Sequence, residues 1–165
     1  MSAIAATSSS SSISQQQVTP PTTAPTLSTN ASGPAKVGQT ITVSGVSCTL
    51  ISVKIIPDDG AGWLKAGDEW VVVHVKIVNQ TSQDYGYGQG DFTIINGTGN
   101  ATGTTVISPS TYNGTQIGIG AVLVPGGSVT GDLIFEAEMG DHRAEMSWRP
   151  NFVGNVTDNV WELGL

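Results

Sequence analysis

The chain has 165 residues, which suits one domain with a tail, and it carries 6 Lys plus Arg against 13 Asp plus Glu, a net charge of −7. Because a polyanion is bound through a basic patch, this charge balance argues against a nucleic-acid partner. No apolar run reaches the ~18–20 residues of a membrane span, and Cys48 is the only cysteine. We therefore expect no membrane span, and stability that depends on a packed core rather than on disulfides.

The first 35 residues contain no charged side chain and are rich in Ser, Thr, Gln and Pro. Such a composition cannot bury a core, so we divide the chain into an uncharged tail or arm at 1–35 and a folded domain at 36–165. Two interpretations of the tail stay open. It is either a flexible stalk or an arm that orders as an added strand on a neighbouring subunit.

Beyond the tail, short β-prone segments alternate with Gly, Pro, Asn and Asp turns, which predicts an all-β domain. The clearest strand is 70–79, in which Val71 and every second residue up to Ile77 share the face toward the core. A change of phase near Leu50 and Ile51 predicts a β-bulge. The predicted strands are Gln39–Val43, Val46–Ile56, Trp70–Asn79, Phe92–Ile95, Thr104–Ile107, Ala121–Val124, Ser128–Ala137, Ala144–Arg149 and Asn159–Leu163.

About eight or nine strands at this spacing predict an immunoglobulin-like antiparallel β-sandwich, preceded by the extended Ser/Thr/Pro-rich arm. Trp148 and Trp161 lie on late strands and are predicted to fill the core between the sheets. Cys48 shares a strand with apolar residues, so we predict a buried small hydrophobe rather than a nucleophile.

Several short motifs stand in a recognisable order: Val37-Gly38-Gln39-Thr40, the run from Trp70 to Asn79, Asp91-Phe92, Pro125-Gly126-Gly127 and Gly131-Asp132-Leu133-Ile134-Phe135-Glu136. Over residues 36–165 the chain resembles the telokin-like, immunoglobulin-like domain family of secreted proteins and lipoproteins, which includes the immunoprotective extracellular antigen. The resemblance implies a β-sandwich in an extracellular setting, with no established enzymatic activity and no functional residues to carry over. Cys48 lies inside a strand, so it cannot be the lipidated N-terminal cysteine of the lipoprotein members.

No catalytic or metal-binding motif is present in the sequence. The pairs Asp58-Asp59 and Asp68-Glu69 lack the alternating spacing of a calcium loop, and we interpret them as solvated loop charge. His74 and His142 are the only imidazoles, and both are predicted to be surface histidines. We expect no metal, no cofactor and no enzymatic activity, because no nucleophile and general base can be paired.

Two features suggest surface contacts. Six of the eight asparagines begin an Asn-x-Ser/Thr sequon, which indicates a glycosylated surface or reflects local Ser and Thr richness. The glycosylation candidates are Asn30, Asn79, Asn96, Asn100, Asn113 and Asn155. The second feature is a set of aromatic residues on glycine-rich loops, Trp63, Tyr85 and Tyr87, which either contact a glycan or protein partner or fold back over the end of the sandwich.

These observations favour a non-enzymatic extracellular structural module that self-associates into a surface filament, appendage or coat, with the arm linking neighbouring subunits. The first alternative is a tethered secreted or cell-surface binding module that contacts a glycan or protein. The second is a virion coat or decoration protein. A small hydrolase has the least support. The absence of a signal sequence at the N-terminus fits a mature exported chain or a virion protein.

Overall fold

A computed structural model describes residues 26–27, 33–106, 109–152, 154–155 and 157–165. The described residues are almost entirely strands and turns, with two single-turn 3₁₀ helices at Gln89–Asp91 and Pro150–Phe152. The strands are β1 Thr26–Leu27, β2 Thr40–Val43, β3 Val46–Ile56, β4 Asp68–Asn79, β5 Tyr85–Tyr87, β6 Phe92–Ile95, β7 Ala101–Gly103, β8 Ala121–Leu123, β9 Ser128–Glu138, β10 Glu145–Trp148 and β11 Val160–Glu162.

The strands form two main sheets and a small third one. The first sheet has the order β1-β2-β3-β4-β9, in which β1 and β2 are parallel and the other neighbours are antiparallel. The second has the antiparallel order β11-β10-β6-β7, and β5 pairs with β8 separately. Ala35 bridges to Trp161, so the chain touches the second sheet between β1 and β2 of the first. The predicted antiparallel β-sandwich is confirmed.

The core lies between the two main sheets. The alternating face of β4 predicted from the sequence is confirmed, since the residues from Val71 to Ile77 at every second position are fully buried. Trp148 and Trp161 belong to the same core, with their ring centroids 6.5 Å apart, and Cys48 is buried as predicted. Aromatic and β-branched side chains of this size supply most of the apolar area that holds two sheets together.

The two halves of β3 have different neighbours. β2 pairs with Val46–Thr49, and two further main-chain hydrogen bonds, from Gly38 to Leu50 and from Leu50 to Gln39, extend that pairing by one residue. On the other side, β4 pairs with β3 as far as Ile56. The register between β3 and β4 shifts between Leu50 and Ser52, which confirms the predicted bulge. We call Val46–Leu50 the closed half of β3 and Ile51–Ile56 the open half.

The structure departs from the predicted strands in three places. Eleven strands are present in the described part of the chain, rather than eight or nine, because Thr26–Leu27 and Tyr85–Tyr87 add two short ones. The predicted strand at Thr104–Ile107 is wrong over its described residues, 104–106. The strand ends at Gly103 instead, and the Thr105 amide donates to the Ile134 carbonyl, so the chain leaves the second sheet there for the edge of β9.

The arm predicted at 1–35 lies outside the described residues apart from 26–27 and 33–35. Within the described ranges, none of the helices has the length and apolar character needed to cross a membrane.

Candidate functional site

A second, smaller apolar cluster lies on the outer face of the five-stranded sheet. Its buried members are Ile56, Trp70, Val72 and Ile134, and the partly buried Leu64 and Tyr112 pack against them. We call residues 109–117 the strap, since this segment brings Tyr112 onto the outer face. The sequence pattern assigned this face of β4 to the surface, and the cluster shows that much of it is covered.

Asp132 on β9 holds the strap in place. Its main-chain amide donates to the Thr115 carbonyl at 2.8 Å, and its carbonyl accepts from the Ile117 amide at 2.9 Å. Its carboxylate lies 2.5 Å from His74 Nδ1 through one oxygen and accepts from the Tyr112 hydroxyl at 2.9 Å through the other. The side chain of Asp132 is 13% exposed. Three of these contacts therefore join the strap to Asp132 on β9, and the fourth joins Asp132 to His74 on β4.

The strap approaches Asp132 so closely that one position requires glycine. A Cβ atom added at Gly114 would lie 2.1 Å from Asp132 Oδ2 and 2.7 Å from the Tyr112 ring. Neither neighbour can move away without losing the hydrogen bond between them. Burial, followed by the hydrogen bond to Asp132, raises the pKa of the Tyr112 hydroxyl, so the phenol stays protonated and remains the donor.

The sheet register places Ser52, His74 and Asp132 side by side on three neighbouring strands. Residues directly opposite one another have Cβ atoms about 4.5–5.5 Å apart. Serine, histidine and carboxylate follow one another here in the order of a catalytic triad. Asp132 also faces His74 Nδ1, the nitrogen that the carboxylate contacts in such triads. We call these three residues the row. Sequence analysis missed this row because only the strand register brings the three residues together. In the described structure, Ser52 makes no hydrogen bond to His74.

A buried carboxyl group lies on the inner side of the molecule. Asp91 is 5% exposed, and its Oδ2 accepts from the Gly88 amide at 3.2 Å. Burial raises the pKa of this carboxyl group. Burial also raises the pKa of the Cys48 thiol and of the Tyr85 hydroxyl, and the charge of Asp91 adds to both shifts. Cys48 therefore lacks the lowered pKa that a nucleophilic thiol needs.

The three aromatic residues predicted to form a contact surface do not lie together. Trp63 precedes β4 and Tyr85 follows it, and this strand of 12 residues is roughly 36 Å long at ~3.3 Å per residue. Trp63 is 61% exposed, whereas Tyr85 is buried in the core and Tyr87 packs partly against it. Tyr85 therefore cannot contact a glycan or protein partner as predicted, because it lies buried on strand β5 and not on a loop.

The sequon asparagines also differ in accessibility. Asn79 is fully buried, and its amide nitrogen donates to the Gln83 carbonyl at 2.7 Å and the Leu123 carbonyl at 2.9 Å, so it is not available for glycosylation in the fold. Asn96 is half-buried, and its side-chain oxygen caps the turn that contains Thr98. Exposed positions remain at Asn100, Asn113 and Asn155, whereas Asn30 lies outside the described residues.

The acidic pairs have separate surroundings. Asp59 accepts from the Ser110 amide at 2.6 Å and the Ala61 amide at 3.0 Å, and these hydrogen bonds lower the pKa of its carboxyl group. Asp68 instead lines a cleft of about 420 Å³ at the end of the sandwich, together with Lys65 and Glu138. Among the described residues, no three His, Cys, Asp or Glu side chains are grouped to hold a metal ion. His142 is exposed and contacts the Leu165 carbonyl.

The fold and its surfaces define a small β-sandwich module with a strapped outer face. The family described as domain of unknown function DUF4352 matches residues 35–158, and the chain belongs to this family. No curated protein matches the chain. The narrower telokin-like assignment stays a prediction.

Several solved structures share the fold. The yjhA protein from Bacillus subtilis is 17% identical, with a TM-score of 0.55 over 70% of this chain and 81% of that one. The secreted protein MPT63 from Mycobacterium tuberculosis is 13% identical, with a TM-score of 0.55 over 80% of this chain and 99% of that one. A putative lipoprotein, ycdA from Bacillus subtilis, is 19% identical, with a TM-score of 0.53 over 70% of this chain. The match spans 34% of that lipoprotein.

Proposed function

We propose that this protein is a non-enzymatic extracellular assembly module, in which the arm of one copy adds a strand to the sandwich of another. The observation that carries the proposal is the pairing of Thr26 with Thr40 and of Leu27 with Ile41. This part of the N-terminal segment forms a strand on the edge of β2. Exchange of the same strand between copies would use identical contacts and needs no new interface.

Other observations support parts of the proposal. An uncharged segment can approach the edge of a molecule of net charge −7 without electrostatic repulsion. The solved neighbours include a protein described as secreted and another described as a putative lipoprotein, which supports an extracellular setting. The row of Ser52, His74 and Asp132 has a structural use, because Asp132 holds the strap. A virion coat role has no support among the named neighbours.

Cysteine pairing between differently tagged chains tests the exchange. Neighbouring strands lie about 4.8 Å apart, which is within the Cα–Cα range of a disulfide. In a Cys48→Ala background, one chain carries Thr26→Cys and the other carries Thr40→Cys, so a disulfide between these positions joins two copies. We expect a mixed-tag dimer on non-reducing gels, and none when Thr98→Cys on an exposed turn replaces Thr40→Cys.

The double variant Thr26→Cys/Thr40→Cys provides the opposing outcome. If its disulfide forms only within one chain at every protein concentration, and the mixed chains never join, the arm closes its own sheet and the assembly proposal fails. A monomeric mass by light scattering would support that conclusion.

A specific observation favours the tethered binding module as a second candidate. Trp63 is exposed on the loop that joins β3 to β4, away from the core aromatics. A large exposed indole is a common anchor for a sugar ring or a protein partner. Replacing it by alanine should leave the free energy of unfolding within about 0.5 kcal/mol of the parent and abolish binding on a glycan array. An unchanged binding pattern would remove this candidate.

A further inference from the structure

In the part of the chain that the structure describes, the open half of β3 has a strand on one side only. The pairing of β4 with β3 extends as far as Ile56. On the other side, the pairing of β2 and of the residues just before it ends at Leu50. Across the described ranges, no strand lies on the other side of Ile51–Ile56. Within these ranges, the main-chain groups that point to that side have no partner strand. An unpaired edge of this kind is a template for strand addition.

The side chains of the open half offer two different surfaces to an added strand. Val53 and Ile55 stand opposite Val73 and Val71, so they share the face that packs on the core. Ile55 is nevertheless 47% exposed. On the outer face, Ser52 and Lys54 are both exposed. An incoming strand would therefore cover apolar side chains on one face and stand beside a single positive charge on the other.

Two features of the open half act against pairing with a second copy of itself. Lys54 is its only charged residue, so two copies pairing edge to edge would bring like charges together. The bulge at its start twists the strand, which is a second protection against self-pairing. The same lysine favours a partner strand that carries a carboxylate at that position.

We propose that Ile51–Ile56 binds an extended segment of another protein as an added strand. The apolar side chains on one face of the bound segment cover Val53 and Ile55, and an acidic side chain on its other face stands beside Lys54. This site is separate from the edge of β2, where Thr26–Leu27 pair, so it does not depend on the assembly proposal. The partner is defined by a β-strand pattern of apolar residues around one central carboxylate.

A pair of short peptides tests the site on the full chain. The probe is a blocked nine-residue peptide of alternating threonine and valine with a central glutamate, TVTVEVTVT, and its counterpart has a central lysine. We expect the glutamate peptide to slow hydrogen exchange at amides within 51–56. Because opposite and like cross-strand charges differ in energy, it should bind about threefold to tenfold more tightly than the lysine peptide. Methylating alternate amides of the peptide should abolish binding, since main-chain donors are then lost.

Charge reversal in the protein provides the matched comparison. Lys54→Glu should invert the order of the two peptides, whereas Lys65→Glu makes the same charge change on an exposed loop and should leave the order unchanged. Both lysines are exposed, so both variants should keep the parent unfolding midpoint. An unchanged preference in the Lys54→Glu variant would overturn the proposal, as would peptide-dependent protection confined to β2 or β8.

Two results without peptide would also overturn it. Protection of amides within 51–56 that rises with protein concentration would assign the edge to a second copy. Protection that is complete in the monomer at every dilution would assign it to another segment of the same chain. Neither result depends on the Thr26/Thr40 disulfide, so this proposal and the assembly proposal can fail separately.

Discussion

The two halves of β3 belong to one strand, yet they differ in what surrounds them. In the closed half, neighbours on both sides pair with the main chain, and Cys48 and Leu50 are fully buried. In the open half β4 is the one strand that pairs among the described residues, and Ile51 and Ile55 are 41% and 47% exposed. Both halves contain the apolar and β-branched residues that favour a strand. The comparison therefore shows that composition predicts a strand, and that its neighbours decide whether the strand is core or interface.

The largest expected effect is on the closed half. Leu50→Ala removes a fully buried side chain and should lower the free energy of unfolding by about 2–5 kcal/mol, measured by urea denaturation. Ile55→Ala in the open half truncates a half-exposed side chain and should cost less than about 1 kcal/mol. Equal losses at the two positions would show that the halves do not differ in burial.

A smaller effect is expected beside the open half, where the strap is anchored. Asp132→Ala leaves His74 and Tyr112 without their shared acceptor, so we expect a loss of about 1–3 kcal/mol and faster exchange of the Ile117 amide. Tyr112→Phe removes one of these hydrogen bonds and should cost about 0.5–1.5 kcal/mol. If the Ile117 amide exchanges at the parent rate in Asp132→Ala, the strap is held by other contacts.

Two aspartates near the two halves should respond to pH with opposite signs. The pKa of Asp91, whose charge acts on Cys48 in the closed half, lies above the ordinary value of 3.8 in the folded state. Its contribution to stability is therefore most favourable at low pH and declines as pH rises through the folded pKa. The pKa of Asp59, just after the open half, is lowered, so its contribution is present above 3.8 and is lost as pH falls through the folded pKa.

Melting temperatures from pH 3 to pH 8 test this contrast. Asp91→Asn should gain stability relative to the parent as pH rises. Asp59→Asn should be least stable relative to the parent near neutrality and approach it in acid. Parallel pH profiles for the two variants would contradict the assignment of a buried, destabilised carboxylate to Asp91.

The smallest expected effect is at Ser52 in the open half. Ser52→Ala changes an exposed side chain and should shift stability by no more than about 0.5 kcal/mol. Because we propose that the protein is not an enzyme, a serine-reactive fluorophosphonate should not label the parent protein. Labelling that disappears in both Ser52→Ala and His74→Ala would instead make the row with Asp132 an active site.

The sequence predicted those parts of the fold that depend on neighbours along the chain. Alternation predicted which face of β4 is buried, and the change of phase at Leu50 predicted the bulge. The position of Trp148 and Trp161 in the core followed from their size and their place on strands. These signals are local because side-chain alternation is a property of the strand itself.

The remaining features depend on strand order, which alternation does not encode. The approach of Asp132 to His74 joins residues 58 apart in the sequence. Likewise, the open half of β3 is open only because β2 is short and the chain before it turns to the second sheet at Ala35. The prediction that Tyr85 lies on a loop failed for a related reason. Tyr85 pairs with Leu123 on β8, far along the chain, and this pairing makes a strand of a glycine-rich segment.

Cys48 gives the molecule a built-in reporter of its own motions. It is the only thiol of the chain, it is fully buried in the closed half, and its raised pKa keeps it protonated. A thiol reagent can reach it only after β3 separates from its neighbours, so the rate of labelling measures how often the closed half opens. Unfolding excursions of the sandwich can thus be timed in the unmodified chain, without a fluorophore or an isotope label.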